Sequence, residues 1–110
     1  MNFQAIQNQS SIFKALAHPT RLAIVKKLSQ EKKCVGDIMK ELDLGQSNVS
    51  QHLSVLRKYG LVRPNKEGLW VKYSLTTNQV INLINEAEKI YKERPRQPDL
   101  SLTQNDSPNI

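Results

Sequence analysis

The stretch of this 110-residue sequence best suited to chemistry is a run of small polar side chains on one helix face. Between Gln46 and Tyr59, apolar Val49, Leu53 and Leu56 recur at helical spacing, which predicts one buried face. The opposite face carries hydroxyls, an amide and a cation, but no acid: Ser47, Gln51, Ser54 and Lys58. Small hydrogen-bonding side chains let a helix approach base edges, and glutamine can pair with adenine through two hydrogen bonds. The pattern therefore predicts a helix that reads DNA.

The charge distribution points to the same kind of ligand. The sequence holds 16 basic and 10 acidic residues, a net charge of +6, and the segment Arg57–Lys72 alone carries +4. A local positive field attracts polyanions. An ordinary solvated basic surface is the alternative. Residues 95–110 carry −1, with three prolines, and are expected to be a disordered polar tail behind one domain of residues 1–94.

The candidate DNA contacts fall into two groups. Those expected at bases or nearby phosphates are Gln46, Ser47, Asn48, Ser50, Gln51, His52 and Ser54. Those expected at phosphates are Arg57, Lys58, Lys66 and Lys72. His52 is either a packing residue or a phosphate contact.

Four other side chains are candidates for a structural or binding role. We expect His18 to start a helix, and Trp70 to pack the hairpin against the body, with base stacking as the alternative. Thr20 and Arg21 are candidates for a phosphate contact at a helix N-terminus, with an acid as the other possible partner of Arg21.

Periodicity predicts the elements that must position these residues. The predicted helices are Asn2–Ala17, Pro19–Ser29, Val35–Leu42, Gln46–Tyr59 and Thr77–Arg94. Thr76 or Thr77 is expected to cap the last of them. Leu61–Arg63 and Trp70–Leu75 predict two strands around a basic loop, and Gly45 is expected to be left-handed. The fold is therefore predicted to be mainly α with a small β-hairpin, a winged helix-turn-helix in the order α-α-α-α-β-β-α.

The last predicted helix carries more apolar surface than a small body can cover. Its stripe comprises Val80, Leu83, Ile84, Ala87, Ile90 and Tyr91. A homodimer through the first and last helices is the simplest closure. The alternative is that both helices cap the core of a monomer.

Several classes of protein are excluded or disfavoured. No apolar run is long enough to span a membrane, and the polar N-terminus does not resemble a signal peptide. A single cysteine rules out an intrachain disulfide, so we expect a cytoplasmic protein. We find no nucleophile paired with a base, no phosphate-cradling glycine loop and no cofactor motif, so we expect no enzyme.

Three segments together resemble the ArsR/SmtB family of transcriptional repressors. They are ALAHPTRL at 15–22, LGQSNVSQHLSVLRKYGLV at 44–62 and EGLWVKYSL at 67–75. The resemblance implies a homodimer that binds an inverted repeat in a promoter and blocks transcription until a small inducer weakens binding. The half-sites are then about 10 base pairs apart, or a multiple of that.

The sequence departs from this family's familiar metal sites. Metal-sensing members often carry a Cys-Val-Cys pair at the start of the third helix, where this chain has Cys34, Val35 and Gly36. Other members use Asp and His on the last helix, and here that helix has neither. A transition-metal site takes about four ligands, so we expect no metal site.

Cys34 is the one candidate for a chemical switch. Cys34-Val35-Gly36 also resembles the first half of dithiol sensors of persulfide or oxidant, but the second thiol is absent. Lys32, Lys33 and a helix N-terminus beside Cys34 favour the thiolate, so a lone thiol sensor is one interpretation. A small, partly buried packing residue is the other. The inducer is unknown.

Two further interpretations of function stay open beside the DNA-binding repressor. One is a winged helix that docks a protein partner, which predicts no salt-dependent DNA binding. The other is a constitutive DNA-binding regulator without a thiol or metal inducer.

Overall fold

The computed structural model describes residues 2–95. Its elements run α1 Phe3–Leu16, α2 Pro19–Gln30, β1 Lys33–Cys34, α3 Val35–Leu42, α4 Gln46–Lys58, β2 Val62–Glu67, β3 Trp70–Leu75 and α5 Gln79–Glu93. The mainly helical winged helix-turn-helix is confirmed, with every predicted helix present. The predicted tail, apart from Pro95, lies outside the described residues.

The predicted element order was wrong in one place, because β1 lies between α2 and α3. The three strands form an antiparallel sheet in the order β1-β3-β2, with Lys33 opposite Tyr73 and Cys34 opposite Lys72. A strand of two residues leaves no alternating pattern in the sequence. Its pairing with a strand some 40 residues later is purely tertiary, so a two-stranded hairpin was predicted instead.

The hairpin β2–β3 is longer than predicted. We call this hairpin, with its turn, the wing. Strand β2 continues through Pro64 to Glu67, so the predicted loop is mostly strand. Proline is tolerated there because β2 is an edge strand, where a missing ladder N–H costs little. Only Gly68 and Leu69 form the turn, and Gly68 takes the positive φ of 63° that a glycine-first hairpin turn requires.

The ends of the helices follow local chemistry. Pro19 lies in the first turn of α2, and the backbone N–H of Thr20 donates to Nδ1 of His18, which confirms His18 as the helix start. The prediction for Gly45 was wrong. Asp43 takes the left-handed conformation, with φ of 56°, because a short side chain of this kind tolerates it, and Gly45 is the extended N-cap of α4.

One aliphatic core joins the helices to the base of the wing. Its fully buried centre comprises Ile24, Val25, Ile38, Val49, Leu53, Leu56 and Val62. Tyr73 and Leu75 of β3 pack against it, which fixes the wing beside α4. None of the helices within residues 2–95 is long and apolar enough to cross a membrane.

Candidate nucleic-acid interface

Helix α4 presents a continuous polar face to solvent. Val49, Leu53 and Leu56 are buried as predicted, and they hold the helix against the core. The exposed side chains are Gln46, Ser47, Asn48, Ser50, Gln51, Ser54, Arg57 and Lys58, which we call the reading face. No acidic residue lies in the first turn, and Arg57 and Lys58 occupy the last turn. The face therefore offers hydrogen-bonding groups flanked by cations.

His52 is the one predicted contact on α4 that is not exposed. It is half-buried, and its Nδ1 lies 3.2 Å from Nη1 of Arg21. The rings of His52 and His18 are tilted at 41°, with their centroids 4.3 Å apart. Burial, followed by the charges of His18 and Arg21, holds the pKa of His52 below its ordinary value. His52 thus packs on the inner side of α4.

Arg21 connects three helices through its guanidinium group. From α2, its Nε donates to the carbonyl oxygen of Ala15 at 2.6 Å, and its Nη2 to that of Lys14 at 3.4 Å. These carbonyls lie in the last turn of α1, where a helix leaves acceptors unsatisfied. The prediction of an acid as the partner of Arg21 was therefore wrong, because backbone carbonyls accept its hydrogen bonds instead, while the phosphate contact stays a prediction. We call this contact of Arg21 with α1 and His52 the Arg21 bracket.

The wing carries a positively charged surface, and its acidic residue, Glu67, is paired with a lysine. Arg63 and Lys66 are exposed and Lys72 is half-exposed. The carboxylate of Glu67 accepts from Nζ of Lys32 at 2.5 Å, and this hydrogen bond lowers the pKa of Glu67 below its ordinary value. Glu67 stays ionised but paired, so the predicted wing cations Lys66 and Lys72 keep a favourable field for an anion.

A buried lysine ties β1 to the helix-turn-helix. Lys33 is only 4% exposed, and its Nζ lies 3.0 Å from Oε2 of Glu41 and 3.4 Å from Oε2 of Glu31. The hydrogen bond to Glu41 is the main cause that raises the pKa of Lys33 above its ordinary value. Because β1 also pairs with β3, this contact links α3 to the wing.

The prediction that Trp70 packs the wing against the body was wrong. Trp70 is 65% exposed and Leu69 is 98% exposed. Alternation along β3 places Tyr73 and Leu75 on the face that meets the core and Trp70 on the opposite one. Trp70 also lies next to the turn, at the end of the wing farther from the core contacts of Leu75.

Cys34 is a free, half-buried thiol at the N-cap of α3. Its pairing with Lys72 places it beside the wing, and its side chain makes no capping hydrogen bond. Within residues 2–95, no group of three or more His, Cys, Asp or Glu side chains is arranged to hold a metal ion.

An apolar groove of about 1070 Å³ opens between α1, α2 and α5. Phe13, Leu22, Leu83 and Tyr91 line it, and Ile90 beside it on α5 is 65% exposed. This is the surplus apolar surface predicted from the two terminal helices, and residues of the described chain leave it uncovered.

Sequence reasoning missed the Arg21 bracket and the Lys33 contacts. Arg21 and His52 are 31 residues apart, and each lies on a helix whose own periodicity does not identify the partner. The one available signal for the Lys33 contacts was the position of this lysine between Glu31 and Glu41 in the sequence.

Comparison with known proteins places these features in context. A family model described as "Bacterial regulatory protein, arsR family" matches residues 18–63. The arsenical resistance operon repressor of Escherichia coli is 39% identical over 87 residues, which cover 76% of this chain and 74% of that protein. The transcriptional activator HlyU of Vibrio cholerae is 36% identical over 95 residues, 83% of this chain and 88% of that one.

A solved structure has the same fold. The crystal structure of Mycobacterium tuberculosis Rv0081 superposes with a TM-score of 0.72 at 31% identity and covers 80% of this chain and 89% of that one. The architecture described above is therefore shared with an experimentally determined protein.

Proposed function

The chain belongs to the arsR family of bacterial regulatory proteins, and we propose that it is a homodimeric, sequence-specific DNA-binding repressor of transcription. The observation that carries this proposal is the acid-free reading face of α4 beside a positively charged wing. A helix of this kind fits the major groove, and base edges there distinguish all four base pairs.

The side chains divide the work by their position. Gln46, Ser47, Asn48, Ser50 and Gln51 lie in the first two turns of α4, the part of a recognition helix that contacts bases. Ser54, Arg57 and Lys58 follow toward the other end and, with Lys66 and Lys72 of the wing, would contact the backbone. His52 acts from behind the helix, through the Arg21 bracket, and positions α4 without direct contact.

The groove between α1, α2 and α5 supports the homodimer. Ile90 and Tyr91 on α5 and Phe13 on α1 are exposed in the single chain, and a second copy would cover them by two-fold symmetry. Two reading helices would then face successive turns of an inverted repeat, spaced by about 10 base pairs or a multiple.

Release from DNA by modification of Cys34 is the finer part of the proposal. The thiol lies at the N-cap of the first helix of the turn motif and opposite Lys72 of the wing. A bulky adduct there would press on α3, which packs against α4, and on β3 of the wing. A persulfide donor or electrophile should weaken DNA binding of the wild type, while Cys34→Ser should bind equally with and without it. If the wild type also binds equally with and without the reagent, the constitutive regulator remains.

The proposed function is tested by selection from randomised duplexes about three helical turns long. The chain should enrich an inverted repeat, and the enriched sequence, here called the selected duplex, should bind a dimer. Placed at a promoter, it should lower transcription in vitro. Failure to retain any duplex at low salt would favour the protein-docking alternative, while increased transcription would identify an activator.

A further inference from the structure

The tip of the wing is apolar although the rest of the wing is cationic. Leu69 is 98% exposed, the highest value among the large apolar side chains of residues 2–95, and its neighbour Trp70 is 65% exposed. Exposed apolar side chains that adjoin each other commonly mark a contact surface. Neither the core nor the reading face of the described chain explains them.

The wing holds these two side chains away from the body. Tyr73 and Leu75 pack against the core, whereas Trp70 lies five residues before Leu75, about 17 Å along the strand at ~3.3 Å per residue. The two-residue turn makes the tip narrow, and β1 pairs with the middle of β3 at Lys72 and Tyr73. The wing is therefore a supported projection with an apolar end.

The charges around the tip indicate its ligand. Lys72 lies two residues after Trp70, Lys66 lies opposite Val71, and the acid opposite Trp70, Glu67, is paired with Lys32. An apolar tip between cations matches the DNA minor groove, where sugars form the walls and phosphates line both edges. Apolar side chains in such places enter between base steps and partly unstack them.

We propose that Leu69 and Trp70 form an apolar wedge that enters the minor groove beside each half-site and contacts sugar walls and base edges. The proposal rests on the proposed function and adds a second mode of recognition. The wedge has no base-reading hydrogen bonds beyond the indole N–H. It therefore prefers sequences whose minor groove opens easily. Pyrimidine–purine steps such as TA and CA are the most easily deformed.

Trp70 is the only tryptophan of the chain, so its fluorescence reports the tip directly. With the full-length wild type, saturation by the selected duplex should shift the emission and protect it from acrylamide. Leu69→Ser and Trp70→Ala should each weaken binding by about tenfold while the dependence on salt stays the same, because neither removes a charge. Trp70→Phe should retain most of the affinity.

The position of the wedge is tested with altered duplexes. Replacing a TA or CA step under the wing by GC should weaken the wild type and leave Leu69→Ser nearly unchanged. Because Leu69 is almost fully exposed, its substitution leaves the fold intact, and circular dichroism verifies this for every variant.

Three results would overturn the wedge. One is unaltered Trp70 emission on saturating DNA, with both variants binding as the wild type does; salt-dependent binding in that case leaves the proposed function standing. Another is an emission shift on raising protein concentration without DNA, which would make the tip a contact between copies. The third is absence of wild-type binding to any duplex, which would overturn the proposed function as well.

Discussion

Nη1 of Arg21 lies 3.2 Å from Nδ1 of His52, and this contact joins α2 to the inner side of α4. Arginine can only donate, so Nδ1 of His52 must accept, and the neutral ring carries its proton on Nε2. The same guanidinium donates to Ala15 at the end of α1. The helix proposed to read DNA is thus tied to a helix proposed to form the dimer.

Acid should weaken the folded state through His52. Its native pKa is below 6.5, while the unfolded chain titrates near that value, so below it the unfolded state binds more protons. The contribution of neutral His52 to stability is therefore fully present above about pH 6.5 and is lost as the pH drops toward the native pKa. Urea unfolding should show a lower free energy of unfolding at pH 5.5 than at pH 7.5. His52→Asn, which keeps an acceptor near Nδ1, should show a smaller difference between the two pH values. Identical losses in both proteins would refute this role of His52.

Removing the Arg21 guanidinium should destabilise the domain. Arg21→Met leaves the Ala15 carbonyl without its donor and His52 Nδ1 without a partner, at a cost of about 1.5–3 kcal/mol for a hydrogen bond to a charged group. Urea unfolding measures the difference. Lys40→Met, which changes an exposed cation on α3, serves as the control and should change stability by less than about 0.5 kcal/mol. Equal effects of the two substitutions would contradict the bracket.

The parts predicted from sequence are those with a local cause. Val49, Leu53 and Leu56 repeat along one helix, so their burial and the exposed reading face could both be read from spacing. The parts that were missed depend on residues distant in the chain. Strand β1 forms because Lys33 pairs with Tyr73, and the orientation of the Arg21 side chain depends on its contact with His52.

Trp70 shows a different limit of sequence reasoning. A tryptophan is most often packed, and its strand was correctly predicted, but the length of β2 was not. Because the pairing of β2 with β3 extends as far as Glu67, Trp70 lies next to the turn and away from the core. Asp43 is similar, because either Asp43 or Gly45 could adopt the left-handed turn and only the packed structure selects between them.

Gln51 should determine preference at one base pair. Gln51→Ala removes an exposed amide from the reading face and should cost about 1–3 kcal/mol on the selected duplex, while preference at a single position relaxes. Competition among duplexes that vary each position in turn measures both effects. If affinity for every variant duplex is unchanged, the reading face has been assigned wrongly.

A charge on α5 should distinguish a dimer from a monomer. Ile90 is 65% exposed in the single chain, so Ile90→Glu would hardly affect a monomer, whereas a dimer that buries it would dissociate. Sedimentation equilibrium should show at least tenfold weaker self-association, which corresponds to about 1.4 kcal/mol. Asn82→Glu, at an exposed position on α5 outside the groove, is the matched control. A monomeric wild type would overturn the proposed assembly.

We expect α4 and the wing to bind the DNA backbone and bases together. The most direct measurement is the affinity for the selected duplex as a function of salt, by fluorescence anisotropy, for the wild type, Lys66→Ala and Lys66→Arg. Affinity should fall steeply with salt, the slope should decrease by about one per wing for Lys66→Ala, and Lys66→Arg should keep the wild-type slope. Binding that is insensitive to salt, or equal slopes for all three proteins, would contradict the account.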